Sequence, residues 1–218
     1  MKKIFTFWIL TTVSSVAMSE VVTGTDELAH LPYWELHADA MTFRIVQRLP
    51  DQTRAYFSGR GFSKEDADFV ATHCIFQNIF TNTATAGSQH LIQYDASKWL
   101  AIYKNKQESP ILHEEWKTIW QQRKAKKPQR IAFEWSLLPT RQQYQPADYN
   151  WGMMVYKIPH GETFDLKIFW ALDGKEHTAT IKDLQRKAQF MEITPAARIE
   201  GTPHALDRFV GATKNSSL

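Results

Sequence analysis

Cysteine is almost absent from this chain of 218 residues, which contains only one, Cys74. A single thiol cannot close an intrachain disulfide, so we expect the hydrophobic core to hold the fold together. Glycine and proline, nine of each, are too scarce for a collagen-like or proline-rich low-complexity chain. The hydrophobic share of 43% excludes an intrinsically disordered chain and suffices for a sizeable core.

The chain also has little excess of either sign of charge. It contains 26 Lys and Arg residues and 23 Asp and Glu residues, which gives a net charge of +3. Binding to nucleic acid through bulk electrostatics needs many phosphate contacts, so we expect no nucleic-acid partner. The one basic run, residues 123–130, is interpreted as a solvated connector. No apolar run beyond the N-terminus approaches the roughly 20 residues of a membrane-spanning helix.

The N-terminus has the pattern of an export signal. Two lysines, Lys2 and Lys3, precede an apolar stretch over residues 4–13, and the small-residue pattern Ala17-Met18-Ser19 follows. We expect residues 1–19 to be a signal peptide cleaved after Ser19, with residues 20–218 forming a single globular, β-rich domain. The expected location is the periplasm or the medium of a bacterium.

The fold is predicted to be mainly β, at the margin of α+β, with an antiparallel β-sandwich core. Residues 40–48 alternate between apolar and polar, which is typical of a half-buried strand. Asp173-Gly174 between two such runs, 164–170 and 175–182, predicts a hairpin with a type I′ turn. Further strands are predicted over 89–94, 98–103, 131–137, 152–158 and 188–194, with a turn at 49–51.

Two helices are predicted in the N-terminal half. The first covers residues 63–73, with Ser63 as its N-cap, and the second covers 109–124, with Ser109 as its N-cap. Residues 74–83 fit both a helix and a strand, because a short apolar run does not distinguish the two by periodicity.

Soft metal ligands suggest one kind of chemistry. Nucleophile-elbow, HExxH zinc, CxxC and P-loop motifs are all missing from the sequence. Thiolate and thioether groups suit Cu(I), and imidazole suits copper or zinc. Met153 and Met154 are adjacent in a predicted strand, so they point to opposite faces and only one can join a given site. The candidate copper ligands are His73, Cys74, Met41, Met154 and His160. The alternative is that these residues only fill the core.

Aromatic residues suggest a contact surface. Residues 141–152 are predicted to form a long polar loop in which aromatic side chains lie beside amides. Such a loop could bind a sugar, a peptide or a protein partner, although the same aromatics could instead close one end of the sandwich. The candidate contact residues are Tyr144, Tyr149, Asn150 and Trp151.

The sequence thus favours an exported, non-enzymatic binding or accessory protein with a protein or small-ligand partner. Copper handling is the most specific version of this prediction. One alternative is a sandwich that recognises a carbohydrate or a protein without metal. The other is a secreted hydrolase whose carboxylate pair, for which Glu134 and Asp165 are considered, converges only in three dimensions.

Overall fold

The computed structural model describes residues 19–27, 29–159 and 161–185. Two antiparallel sheets pack together, and helices cover part of the first sheet, which confirms the predicted mainly-β sandwich. Residues 1–18, which hold most of the predicted signal peptide, His160 and the strand predicted over 188–194 lie outside the described residues.

The strands and helices alternate along the chain. The strands are β1 (Glu20–Thr25), β2 (Pro32–Ala38), β3 (Met41–Gln47), β4 (Cys74–Asn82), β5 (Ile92–Asp95), β6 (Leu100–Tyr103), β7 (Lys106–Glu108), β8 (Arg141–Tyr144), β9 (Tyr149–Tyr156), β10 (Thr163–Leu172) and β11 (Lys175–Gln185). The helices are α1 (Pro50–Ser58), α2 (Lys64–Ala71), α3 (His113–Gln122) and α4 (Lys127–Glu134).

The first sheet has the order β1-β2-β3-β4-β9. The second sheet centres on β10, which pairs with β11 along one edge and with β5 and β6 along the other. A short 3-10 helix separates β5 from β6, while β8 and β7 pair with β5 and β6 respectively. The β10–β11 hairpin turns at Asp173 and Gly174, which have φ values of 53° and 80°, as a type I′ turn requires.

The main core lies between the two sheets. Alternate residues of β3 and β4, among them Phe43 and Phe80, meet side chains of the second sheet such as Trp99 and Ile168. Asn82, which is also buried, donates through Nδ2 to the carbonyls of His90 and Tyr144, at 2.8 and 3.2 Å. This amide therefore ties the end of β4 to the second sheet.

A second core lies on the outer face of the first sheet, the face away from the second sheet. There the helices pack against β4 and β9 residues, including Ile75 and Val155. This core is rich in aromatic side chains, with Phe57, Trp116, Trp120 and Phe133 from the helices and Phe62 from the connection between α1 and α2. As a result β4 is buried on both faces at its start, and the residues predicted ambiguously over 74–83 form a strand.

The described part of the chain has four α-helices, where the sequence predicted two. The turn predicted at 49–51 is the beginning of α1, with Pro50 in its first turn, where proline is well tolerated. The Gln52 side chain accepts a hydrogen bond from the Leu49 N–H at 3.1 Å. The α2 helix agrees with the prediction, and the Ser63 Oγ accepts from the Asp66 N–H at 3.1 Å.

The helix predicted to begin at Ser109 begins later. Ile111 forms a β-bridge with Val155, its N–H donating to the Val155 carbonyl at 2.8 Å. This pairing holds the chain extended, so α3 begins at His113. None of the described helices has the length and apolarity required to cross a membrane.

The strand predicted over 131–137 is wrong, because residues 127–134 form α4. Alternation of apolar residues suggested a strand, but Phe133 and Leu137 are buried while Ile131 and Trp135 are exposed. Phe133 is buried from within α4, whereas Leu137 follows the helix and is buried where it bridges to Met153 of β9.

The long loop predicted over 141–152 is also wrong. Its first residues form β8, which pairs with β5, and its last residues begin β9, which pairs with β4. The amides that suggested a loop lie in part on the surface of the second sheet. There the Gln93 Nε2 donates to the Gln143 Oε1 at 2.9 Å.

Candidate functional site

Part of the first sheet's outer face is left uncovered by the helices. The helical layer packs on Ile75 and Val155, but Ile79 and Trp151, which are paired further along β4 and β9, are exposed. Trp151 is 48% exposed, and Tyr149, which lies next on the same face, is 67% exposed. An exposed apolar surface of this kind is where binding sites of soluble domains are found.

A concave site borders this surface. We call it the aromatic cleft; it lies between the edge of β9 and the segment after α4, and its volume is about 510 Å³. Trp135, which caps the C-terminus of α4, is 82% exposed and is the most exposed large apolar side chain of the described residues. The aromatic cleft is lined by His113, Glu134, Trp135, Leu137, Pro139, Asn150 and Trp151.

Backbone pairing holds the two walls together. The Leu138 N–H donates to the Met153 carbonyl at 2.9 Å, and the Met153 N–H donates to the Ser136 carbonyl at 2.7 Å. The segment after α4 therefore runs beside β9 as a short parallel bridge. Since this pairing places Trp135 and Trp151 on adjacent stretches of backbone, both indoles line the same cleft.

Two polar side chains line the aromatic cleft, those of His113 and Glu134, whereas Asn150 pairs with Phe80 and so directs its side chain to the other face of the sheet. The His113 Nε2 lies 3.1 Å from the Leu138 carbonyl oxygen. Because a carbonyl only accepts, the His113 Nε2 is the donor in this hydrogen bond. Among the described residues, the Glu134 carboxylate forms no ion pair. The cleft therefore offers polar groups beside its aromatic walls.

The predicted contact residues separate into two groups. Asn150 and Trp151 line the aromatic cleft, and Tyr149 lies exposed beside it. Tyr144 does not belong to this surface, because it is 1% exposed and stacks on Phe80 in the main core. Burial raises the pKa of Tyr144 to about 12.

The sequence reasoning missed the wall formed by Trp135 and Glu134. The strand predicted over 131–137 contains both residues and places Trp135 on its core-facing side. A signal for the correct structure was available, because Pro128 suits the first turn of a helix. With a helix beginning there and Phe133 in the core, Trp135 falls about 200° further round the helix.

The candidate copper ligands lie in different places. Cys74 and Met154 share the main core and lie on neighbouring strands, since Cys74 pairs with Tyr156. They form a diagonal pair, a relationship that puts Cα atoms roughly 7–8 Å apart. The Tyr156 hydroxyl donates to the Met154 sulfur at 3.8 Å. These two soft donors are the pair that the structure brings together.

The other described candidates lie elsewhere. The His73 ring packs on Phe69 and Trp116 in the helical layer, and its Nδ1 lies 3.0 Å from the Phe69 carbonyl oxygen. Met41 pairs with Asn82 at the opposite end of β4, about 26 Å of strand from Cys74. Within the described ranges, no three His, Cys, Asp or Glu side chains are grouped as a metal site would require. Copper binding therefore stays a prediction.

The two carboxylates considered for hydrolysis lie in different layers. Glu134 is in the helical layer, at the end of α4, whereas Asp165 is on β10 of the second sheet. The Asp165 Oδ1 accepts a hydrogen bond from the Asp183 N–H at 3.0 Å, which gives it a role in the β10–β11 pairing. The structure does not bring these two side chains together.

The described chain is a β-sandwich with a helical layer and an aromatic cleft at the border between them. Comparison with protein-family models, curated proteins and solved structures found no match to this chain.

Proposed function

We propose that the protein is exported and binds a carbohydrate in the aromatic cleft. The observation that supports this proposal is the exposure of Trp135 and Trp151 on one concave surface. Export is supported by the residue pattern of 1–19, which is typical of a signal peptide. The proposal requires no catalytic group.

The chemistry of the cleft suits a neutral ligand rich in hydroxyls. An aromatic face packs well against the C–H face of a sugar ring and removes apolar area from water. The Glu134 carboxylate and the His113 ring can then hydrogen-bond hydroxyl groups around that ring. The volume of about 510 Å³ lies within the range of roughly 300–1,000 Å³ found for small-molecule sites.

The test is a titration of the protein with three disaccharides: maltose, cellobiose and N,N′-diacetylchitobiose. Binding is followed through the indole N–H resonances in ¹⁵N–¹H spectra. We expect at least one disaccharide to shift the Trp135 and Trp151 signals saturably. Trp135→Ala and Trp151→Ala should each weaken that binding at least tenfold, because each removes one aromatic wall.

Tyr149→Ala provides the matched control. Tyr149 is exposed on the same face but does not line the aromatic cleft, so disaccharide affinity should be unchanged. An equal loss of affinity in the Trp135→Ala, Trp151→Ala and Tyr149→Ala variants would contradict binding confined to the aromatic cleft. It would favour a broader interface with a protein. The absence of saturable shifts with all three sugars would contradict the carbohydrate proposal.

Copper handling is the second candidate, favoured by the position of Cys74 and Met154 on neighbouring strands. Thiolate and thioether are the donor types that select Cu(I). Anaerobic competition against a Cu(I) chelator tests the idea, with Cys74→Ala and Met154→Leu as variants. Binding of one equivalent that both variants remove would support it, and binding that neither variant changes would overturn it.

A further inference from the structure

The exposed aromatic surface continues beyond the aromatic cleft. The cleft is open to solvent rather than enclosed, and Trp151 belongs both to its lining and to the uncovered outer face of the first sheet. Tyr149 precedes Trp151 by two residues on the same face of β9, so their Cα atoms are about 6.8 Å apart. The Tyr149 ring is 67% exposed and packs in neither core. A ligand that leaves the cleft along β9 therefore meets a second exposed ring.

Across the sheet, by contrast, the apolar surface ends after one strand. On the outer face Trp151 pairs with Ile79 of β4, and Ile79 pairs with Arg44 of β3. The Arg44 guanidinium donates to Glu35 at 3.2 Å and to Asp26 at 2.9 Å, so a network of ion pairs lies beyond Ile79. A neutral ligand held by apolar ring faces finds no further apolar surface in that direction. The direction of β9 is the one that extends the binding surface.

The edge of β9 adds main-chain hydrogen-bonding groups to this surface. In an antiparallel pair, alternate residues direct their N–H and C=O groups toward the partner strand, and the residues between them direct theirs away. The Met153 N–H and C=O bind Ser136 and Leu138 rather than β4, so those of Trp151 and Tyr149 also point away from β4. Within the described residues, no β-bridge to this edge reaches Trp151 or Tyr149. Main-chain donors and acceptors are therefore open to ligand hydroxyls beside the two rings.

This free edge is short for the addition of a peptide strand. Strands in globular proteins typically contain about five or six residues. On this edge only Tyr149 and Trp151 offer outward-facing groups before the chain turns at Ala147, which has a φ of 68°. A sugar chain needs no continuous ladder, because each ring stacks and hydrogen-bonds by itself. Two exposed rings with polar groups beside each of them thus suit a sugar chain better than a peptide.

We propose that the ligand of the aromatic cleft is an extended β-1,4-linked polysaccharide, which runs from the cleft along β9 and over Tyr149. This inference rests on the proposed carbohydrate function and names its substrate class. Successive rings of a β-1,4-linked chain follow a nearly straight line, so one ring can stack on Trp151 and a later one on Tyr149. An α-1,4-linked chain coils, and it would leave the line of β9 beyond the cleft. A disaccharide held in the cleft does not reach Tyr149, whereas a longer chain does.

The test compares chain lengths within three series, by calorimetry and by ¹⁵N–¹H spectra. The pairs are cellobiose with cellotetraose, N,N′-diacetylchitobiose with the corresponding tetramer, and maltose with maltotetraose. In at least one β-1,4 series, the tetrasaccharide should bind about fivefold or more tightly than its disaccharide, because it stacks on one more ring. It should also shift the Tyr149 backbone amide, which the disaccharide leaves in place. Maltotetraose should gain less than about twofold over maltose, since its chain leaves β9.

Variants show whether the gain with chain length comes from Tyr149. Tyr149→Ala should bring the affinities of tetrasaccharide and disaccharide close together, whereas Tyr149→Phe, which keeps the ring, should retain most of the gain. Val22→Ala is the matched control, because Val22 is an exposed apolar residue of the same sheet on β1, at the edge opposite β9. A gain that survives Tyr149→Ala would overturn the proposed path. An equal loss in the Val22→Ala variant would also overturn it, since the chain would then cross the sheet.

The outcomes also separate this inference from the proposed function. Saturable binding of a disaccharide without any gain for its tetrasaccharide would overturn the extended chain and leave carbohydrate binding in the cleft standing. A gain with length in the maltose series alone would overturn the β-1,4 linkage in the same way. Absence of binding by every saccharide would overturn both proposals. If a hexapeptide of alternating threonine and valine then shifted the Trp151 backbone amide saturably, the edge of β9 would be assigned to strand addition instead.

Discussion

Gly152 lies against the backbone of Leu138 so closely that a Cβ at position 152 would come within 2.6 Å of the Leu138 Cα. No side chain fits there without moving one of the two backbones. This contact sets the distance between β9 and the segment after α4, and hence the width of the aromatic cleft. Glycine is needed here for close approach rather than for an unusual φ angle.

Gly152→Ala should therefore destabilise the fold by about 1–3 kcal/mol, as overpacking of a tight contact does. Urea unfolding measures the change. Gly59→Ala is the control, because a Cβ there meets only ordinary contacts and Gly59 has an αR conformation that alanine adopts. If the Gly152→Ala variant is as stable as the native protein, β9 and the segment after α4 can move apart without any loss in the free energy of unfolding.

Tryptophans of α3 and of the cleft should differ sharply in their contribution to stability. Trp120→Ala removes a buried ring that contacts Trp116 and Phe133, and should cost about 3–5 kcal/mol. Trp135→Ala removes an exposed ring and should change the free energy of unfolding by less than about 0.5 kcal/mol. Denaturant unfolding of both variants tests this, and similar losses would contradict the placement of Trp135 on the surface.

The β10–β11 turn should make stability depend on pH through Asp173. The hydrogen bond from the His90 side chain, followed by that from the Leu91 N–H, holds the pKa of Asp173 below its usual range. The resulting stabilisation is present above the unfolded-state pKa of about 3.9 and is lost as the pH falls through the lower folded-state pKa.

Asp173→Asn tests this, because asparagine tolerates the positive φ of 53° at this position but carries no charge. The variant should be less stable than the native protein at neutral pH, and the two should converge in acid. Urea unfolding across that range measures the difference. A difference that stays constant down to strongly acidic pH would assign the effect to turn geometry rather than to the carboxylate.

The Cys74 thiol should be protected in the native state. It is buried in the main core, where Phe76 and Met154 also lie. We expect reaction with a disulfide reagent to be slow in buffer and fast in denaturant, since a thiol must be exposed to react. Rapid labelling of the native protein would show that the core opens easily there, which would also give Cu(I) a route to Cys74 and Met154.

Local patterns were enough for several elements. The Asp173-Gly174 hairpin, the β3 strand and the Ser63-capped α2 helix were all predicted correctly from the sequence. In each case the physical cause acts over a few residues: a positive φ in the turn, alternation across one strand, and a hydroxyl that caps the next N–H groups. Each of these causes can be recognised in the sequence without knowing which other elements pack against the segment.

Elements whose apolar pattern depends on their neighbours were harder to predict. The start of β4 is buried on both faces because helices cover it, so its composition resembled a buried helix as much as a strand. Residues 131–137 showed strand-like alternation, yet the second core takes up only Phe133 and Leu137. In residues 131–137 the tertiary packing decides between helix and strand, because either conformation would bury some of the same apolar side chains.

The sequence alone established the sandwich class, from its many short alternating segments, and indicated that Tyr149, Asn150 and Trp151 lie in a region rich in aromatics and amides. Only the tertiary structure showed which aromatics are exposed. Trp135 and Trp151 reach the surface, whereas Trp116 and Trp120 are buried, although all four are the same residue type. Exposure depends on the elements that pack over a side chain, and these come from distant parts of the chain.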